Sequence, residues 1–399
     1  MNEFNAALGE RLAAIREQGL YRELRRVDSP QAPRIEIGGK TLLNFSSNDY
    51  LGLANEPAVK EAAIRAVEKF GAGAGASRLI CGSLAPHHEL EESLAAFKGT
   101  EAAITFSSGY AAAVGTICTL VGKDDVVVID KLVHACIVDA ARLCGAKLRV
   151  YSHNDLDELE DILKWAVELH SPQSTVQSRG RVLIVTESVF SMDGDHAPLR
   201  EIVELKNKYD AWLMVDEAHA TGLYGQHRRG LAEELGVSDE IEVQMGTLGK
   251  ALGASGGFIC GSRLLIDFLV NRARSFIFST APVPAAAAAA SAGIRLVQSD
   301  AGAARKKLLW ELIENFHAAL EQCNSPFRSA IIPIIMGEEA KAVATAKALL
   351  EKDIFVPAIR YPTVARGEAR LRVTMTASHE ASAVRQLATA LQPLVNRKS

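Results

Sequence analysis

Residues 211–222 read AWLMVDEAHATG. Four apolar side chains, Trp212 to Val215, run unbroken into two carboxylates and, at position 219, a histidine. A run that is apolar at every position, not every second one, fits a strand covered on both faces, as in parallel sheets. The polar end then falls where open α/β sheets present their sites. A carboxylate ending a buried strand needs a partner. Asp216 reads either as the cap of a following helix, with His219 structural, or as the partner of a bound group.

The same texture extends outward. DVVVID (125–130), RVLIVTES (181–188) and GGFICG (256–261) are further strand-like runs. Between them lie helical patterns such as DLDELEDILKWAVELH and LREIVELKNKYD, and ELEESLAAFKG places Leu90, Leu94 and Phe97 on one helical face before a glycine stop. Strands alternating with helices predict an α/β protein with a mainly parallel sheet. From about residue 300 a long helical stretch, AARKKLLWELIENFHAALEQC, leads to SAIIPIIMG, another helix, DIFVPAI and RLRVTMTAS, which read as a smaller α+β domain. No Gly/Ser linker intervenes. SPQSTVQSRG (171–180) is polar and turn-rich and reads as a surface loop.

Composition narrows the class. A chain of 399 residues, 48% hydrophobic and 23% charged, can bury a substantial core. Its formal net charge of −4 argues against nucleic acid or an anionic membrane as partner. Cys81, Cys118, Cys136, Cys144, Cys260 and Cys323 form no C-x-x-C pair and sit mostly in apolar or small-residue runs, so free thiols in a reducing compartment are expected. The N-terminal MNEFNAALGERLAAIREQGLYRELRR mixes acids and bases and lacks the apolar centre of a signal peptide. PVPAAAAAASAGIRLV (282–297) reads as a packed helix, not a membrane span. A cytoplasmic protein is the expectation, and no metal is called for.

Chemistry concentrates in four more places. GTLGKALGASGG (246–257) sets Lys250 among residues with little or no side chain. Either a ligand sits there or the backbone packs unusually tightly. A phosphate-binding P-loop is excluded, since position 244 is Gln and position 251 Ala. Desolvation lowers a lysine's pKa, and the neutral amine can then form a Schiff base with an aldehyde. His134 could stack on a flat ring or be structural, and the FSSGY turn (106–110) offers amides to a phosphate. LLNFSSNDYLGL (42–53) and EARLRVTMTASH (368–379) supply Asn48 and Arg372, an amide and a guanidinium suited to a substrate carboxylate, unless Arg372 is an exposed edge residue.

NFSSNDYLGL, the H-x-E-L-E segment after His87, FSSGY, TESVFSMDGDHAPL, VDEAHATGLYG, GTLGKALGASGG, FIFST and ARLRVTMTASH stand in order over roughly residues 18 to 392. Together they resemble the α-oxoamine synthases, pyridoxal-phosphate enzymes of the aspartate-aminotransferase fold. The resemblance implies fold type I, with an N-terminal helix and arm (1–50), a large cofactor-binding α/β domain (51–285) and a small C-terminal α+β domain (286–399). It also implies decarboxylative condensation of an amino acid with an acyl thioester. SMDGDHAPL and VPAIRYPTVARGEARLRVTMTASH look most like members that join L-alanine to a pimeloyl thioester, carried on coenzyme A or acyl carrier protein, in biotin synthesis. GTLGKALGASGG and RLICGS look closer to members that use glycine and acetyl-CoA. Where the family often has Asn after the FSSGY-like turn, this chain has Ala113.

The resemblance implies particular roles. Lys250 would hold the cofactor and take the substrate's Cα proton, Asp216 would pair with the pyridine nitrogen, His134 would stack on the ring and His219 would bind its phenolic oxygen. Gly109, Tyr110, Glu187, Ser191 and Thr247 would complete the cofactor site, with Thr280 of a second subunit reaching the phosphate in a homodimer with shared sites. Asn48 and Arg372 would hold the amino-acid carboxylate. Arg22 (or Arg25 in its place), Arg360 and Thr363 would meet the acyl substrate. Small residues around Lys250 would make room for the flat cofactor.

Overall fold

The computed structural model describes residues 2–169, 180–320 and 327–395. Its centre is a seven-stranded sheet. The strands lie in the order Ala102–Phe106, Gly257–Gly261, Val243–Thr247, Trp212–Asp216, Val182–Glu187, Val126–Asp130 and Lys147–Tyr151. Every strand but one runs in the same direction. Gly257–Gly261 is antiparallel to both its neighbours. Only the loop 248–256 precedes it, and a parallel return needs a crossover of about a dozen residues or more. The unbroken apolar runs are the sheet's interior: Val126 to Val128, Leu183 to Val185 and Leu213 to Val215 are all 0% exposed.

The alanine-rich stretch forms a packed helix, Pro284–Gln298, opened by a proline at its first turn. It packs on helices Pro57–Phe70 and Ala85–Lys98. Its small side chains let backbones approach: a Cβ on Gly293 would lie 2.1 Å from the Leu252 carbonyl oxygen, in the loop that carries Lys250.

The C-terminal part holds a second sheet, with Ala369–Thr374 between Ile331–Gly337 and Ala358–Ile359, all antiparallel. DIFVPAI thus splits into two short strands. A third sheet joins the chain's two ends. Arg34–Ile37 and Lys40–Asn44 form a hairpin closed by Gly38 and Gly39, both at positive φ, and Ile354–Phe355 adds to it in parallel. The segment after the hairpin lies along the C-terminal strand: Thr374 N donates to Phe45 O and Ala377 N to Tyr50 O. This carries Asn48 to Arg372.

Helix Glu3–Glu17 buries no side chain and leaves Phe4 68% exposed. No helix among the described residues is long and apolar enough to cross a membrane. Cys81, Cys118, Cys136, Cys144 and Cys260 are free thiols, while Cys323 and all of the 171–180 loop except Gly180 lie outside the described residues.

Candidate active site

The parallel strands end side by side on polar residues: Asp130, Glu187, Asp216 and, one strand on, Thr247. Glu187 and Asp216 are register partners, and both are buried. Burial pushes both carboxyls up, Asp216 being opposed by the nearby Lys250 charge. Asp216 Oδ1 accepts from Ala218 N at 2.8 Å. Its other oxygen has no hydrogen bond, and the carboxylate no ion pair, among the described residues. A carboxylate in that state suits a cationic N–H donor, which a protonated pyridine nitrogen supplies.

Lys250 stands in the loop between strands Val243–Thr247 and Gly257–Gly261. Backbone bonds cinch that loop: Leu248 N to Gly256 O, Ala254 N to Leu248 O and Gly253 N to Lys250 O. The Thr247 hydroxyl is spent on the same closure, donating to Gly256 O at 3.0 Å and accepting from Gly249 N at 3.3 Å. Gly246, Gly253 and Gly257 in this stretch are each packed closely against other parts of the chain. A Cβ on Gly253 would lie 2.5 Å from the Leu53 carbonyl carbon, one on Gly246 would lie 2.4 Å from the Phe258 ring, and one on Gly257 would lie 2.5 Å from Ser108 O. The last contact holds the FSSGY turn against the strand that follows the lysine loop.

From the Lys250 amine a continuous chain of hydrogen bonds runs to the C-terminal sheet. Nζ lies 2.8 Å from His219 Nε2, and His219 Nδ1 lies 2.5 Å from the Tyr50 hydroxyl. Tyr50 donates to Asn48 Oδ1 at 3.3 Å, and Arg372 Nη1 donates to the same oxygen at 3.0 Å. Arg372 also donates from Nε to Ser191 O at 2.6 Å and from Nη1 to Thr374 Oγ1 at 2.9 Å. It is buried, so it is no exposed edge residue, and its Nη2 makes no hydrogen bond among the described residues.

Electrostatics follow from burial. Desolvation, opposed by Asp216 and Glu187, brings the Lys250 amine down to about 8. Burial and the neighbouring cations hold His219 well below its ordinary value, so its imidazole is neutral. Burial pushes Tyr50 up to about 12, which keeps its hydroxyl protonated.

The remaining residues divide into groups. His134 caps helix Ala135–Leu143, its Nδ1 accepting from Cys136 N, and its own amide donates to Glu187. The residue as a whole is exposed. Gly109 starts helix Gly109–Leu120, whose first amides can face an anion; a Cβ on it would lie 4.0 Å from the Thr247 Cβ. Tyr110 is exposed and donates to Asp139 at 2.9 Å. Arg22 donates to Thr363 at 3.3 Å and Arg360 to Tyr21 O at 3.1 Å, so these three come together. Arg25 instead lies over the Phe355 ring. Thr280 stands apart, exposed and bridged to Ser77. Tyr50 escaped the sequence reading, although it lies two residues beyond Asn48 in NFSSNDYLGL.

A lysine loop, an unpaired buried carboxylate and a helix N-terminus on one sheet edge define the site of a pyridoxal-phosphate-dependent enzyme of fold type I. The family model for class I and II aminotransferases matches residues 40–391. The chain belongs to that family, in its α-oxoamine synthase branch. An 8-amino-7-oxononanoate synthase from Geotalea daltonii is 47% identical over 388 residues, 96% of each chain. Serine palmitoyltransferase from S. paucimobilis, solved with a bound PLP–myriocin aldimine, superposes with a TM-score of 0.88 at 28% identity, over 97% of this chain and 96% of that one. An 8-amino-7-oxononanoate synthase from Francisella tularensis gives 0.73 at 27%, over 89% and 97%.

Proposed function

We propose that the protein condenses L-alanine with a pimeloyl thioester, giving 8-amino-7-oxononanoate, CO2 and free thiol, in biotin synthesis. The observation that carries the reading is the unbroken link from Lys250 through His219, Tyr50 and Asn48 to Arg372. It sets an amine of lowered pKa and a buried guanidinium on one site, as an α-amino acid requires.

When bound, pyridoxal phosphate supplies an aldehyde for the substrate amine and a ring that accepts electrons from Cα. Lys250 would hold the aldehyde, and its Nζ, whose lowered pKa favours the neutral base, would take the Cα proton. Asp216 would pair with the ring nitrogen and hold a proton on it. His134 would stack on the ring, and His219 would bind the phenolic oxygen. Glu187 fixes the His134 backbone. The helix N-terminus at Gly109 and Tyr110 would hold the phosphate, Ser191 and Thr247 would help position the ring, and Thr280 of the partner subunit would complete the site in a homodimer. Arg372 and Asn48 bind the amino-acid carboxylate. Arg22, Arg360 and Thr363 receive the acyl chain, delivered by coenzyme A or acyl carrier protein in the cytoplasm.

The test is thiol release by the cofactor-loaded protein, crossing L-alanine and glycine with pimeloyl-CoA and acetyl-CoA. Release confined to L-alanine with pimeloyl-CoA supports the proposal. Release with glycine and acetyl-CoA overturns it and makes the lysine segment the better guide.

A further inference from the structure

Strand Val126–Asp130 ends on a carboxylate that the proposed chemistry does not use. Asp130 is 0% exposed. Its Oδ1 accepts from Leu132 N at 2.7 Å and lies 3.0 Å from His153 Nδ1, while Oδ2 accepts from Asn154 N at 2.9 Å. The other ring nitrogen of His153, Nε2, lies 2.6 Å from Asp195 Oδ2. A ring that donates from both nitrogens is an imidazolium. Burial opposes that charge, but the two carboxylates outweigh it and raise the pKa to about 10. The Phe190 ring stands edge-on, with centroids 4.4 Å apart.

Each carboxylate anchors a different part of the site. Asp130 opens the turn that reaches His134, taking Leu132 N on its side chain and Val133 N on its carbonyl. Asp195 closes the loop that carries Ser191, its carbonyl accepting from Phe190 N at 3.0 Å. That loop is in turn gripped by the C-terminal strand: Ser191 O takes Arg372 Nε, and Asp193 pairs with Arg370. Asn154 adds a second stitch, donating to His196 O at 3.1 Å.

We propose that His153 is a positioning residue: as a cation shared by Asp130 and Asp195, it fixes the turn bearing His134 against the loop bearing Ser191. It thereby sets the spacing between the cofactor's stacking histidine and the arginine for the substrate carboxylate, and touches neither ligand. The proposal rests on the roles given above to His134 and Arg372.

The test compares His153→Gln, Asp195→Asn and the double variant with the wild type, in the cofactor-loaded protein. Asp195→Asn loosens only the Arg372 side, so the KM for L-alanine rises about tenfold while the cofactor Kd stays within about twofold. His153→Gln loosens both sides, so KM and Kd each rise about tenfold. In the double variant the two effects do not add, because both changes break the same contact, so KM stays about tenfold above wild type and does not reach about a hundredfold. Should His153→Gln fail to fold, Asp195→Asn keeps the Asp130–His153 pair and carries the test. Wild-type KM and Kd in both single variants, with only the melting temperature lowered, would overturn the proposal. Failure of the substrate reading shows separately, as wild-type protein that releases no thiol, and the cofactor Kd of His153→Gln still decides the question.

Discussion

Gly253→Ala is predicted to damage the protein far more than Gly249→Ala, four residues away in the same loop. Gly253 has φ +67°, and a Cβ there would meet Leu53 C at 2.5 Å, Leu53 Cβ at 2.7 Å and Ala54 N at 2.8 Å. A left-handed alanine costs roughly 1–2 kcal/mol. Forcing a methyl into close-packed backbone costs roughly 1–3 kcal/mol more, so about 2–5 kcal/mol in all. At an unfolding entropy of about 2.1 cal/mol/K per residue, 399 residues convert that into a melting-temperature drop of about 2–6 °C. A Cβ on Gly249 meets nothing closer than 3.5 Å, and its melting temperature should stay within about 1 °C of wild type. Calorimetry of the cofactor-free variants reads both. Equal melting of the two, with both losing cofactor affinity, would refute the packing account and favour the view that these glycines clear space for a ligand.

Lys250→Ala should leave no cofactor attached to protein after borohydride reduction, and should abolish turnover; retained turnover would sink the proposed base. Tyr50→Phe removes the partner 2.5 Å from His219 Nδ1, at a cost of about 1–2 kcal/mol, or roughly 5–30-fold in kcat/KM; an unchanged kcat/KM would show that the hydroxyl does not orient His219. In the cofactor-free protein Lys250 has its pKa lowered to about 8 from an ordinary lysine value. Above pH 8 the unfolded chain therefore holds more protons at this position than the folded one, so stability rises with pH until the unfolded lysine also titrates. Lys250→Met removes that rise, and melting curves of the two proteins across pH 8 to 10.5 should diverge; parallel curves would contradict the lowered pKa.

What could be read in advance was local. Trp212 to Val215 declare a buried strand, and Asp216 marks its polar end, because both signals lie within a few residues of each other. Lys250 stands out against its small neighbours, yet the pattern alone left ligand space and tight packing equally open. Only Leu53, 200 positions away in the chain, decides the matter for Gly253. Tyr50 reaches His219 across 169 positions, and His153 reaches Asp195 across 42, so neither spacing carries a signal. The antiparallel strand Gly257–Gly261 was legible in principle from its short loop. Arg22, Arg360 and Thr363 come together only because the N-terminal hairpin pairs with Ile354–Phe355.

The central claim is condensation with loss of the substrate carboxylate, and the most direct measurement follows that carbon. Cofactor-loaded protein is incubated with pimeloyl-CoA and L-alanine labelled with ¹³C at the carboxylate, and labelled CO2 is counted against free thiol. Equal amounts of the two, with an amino ketone retaining the other alanine carbons, are what the account predicts. Thiol without labelled CO2, or conversion of alanine to its keto acid without thiol, would contradict it.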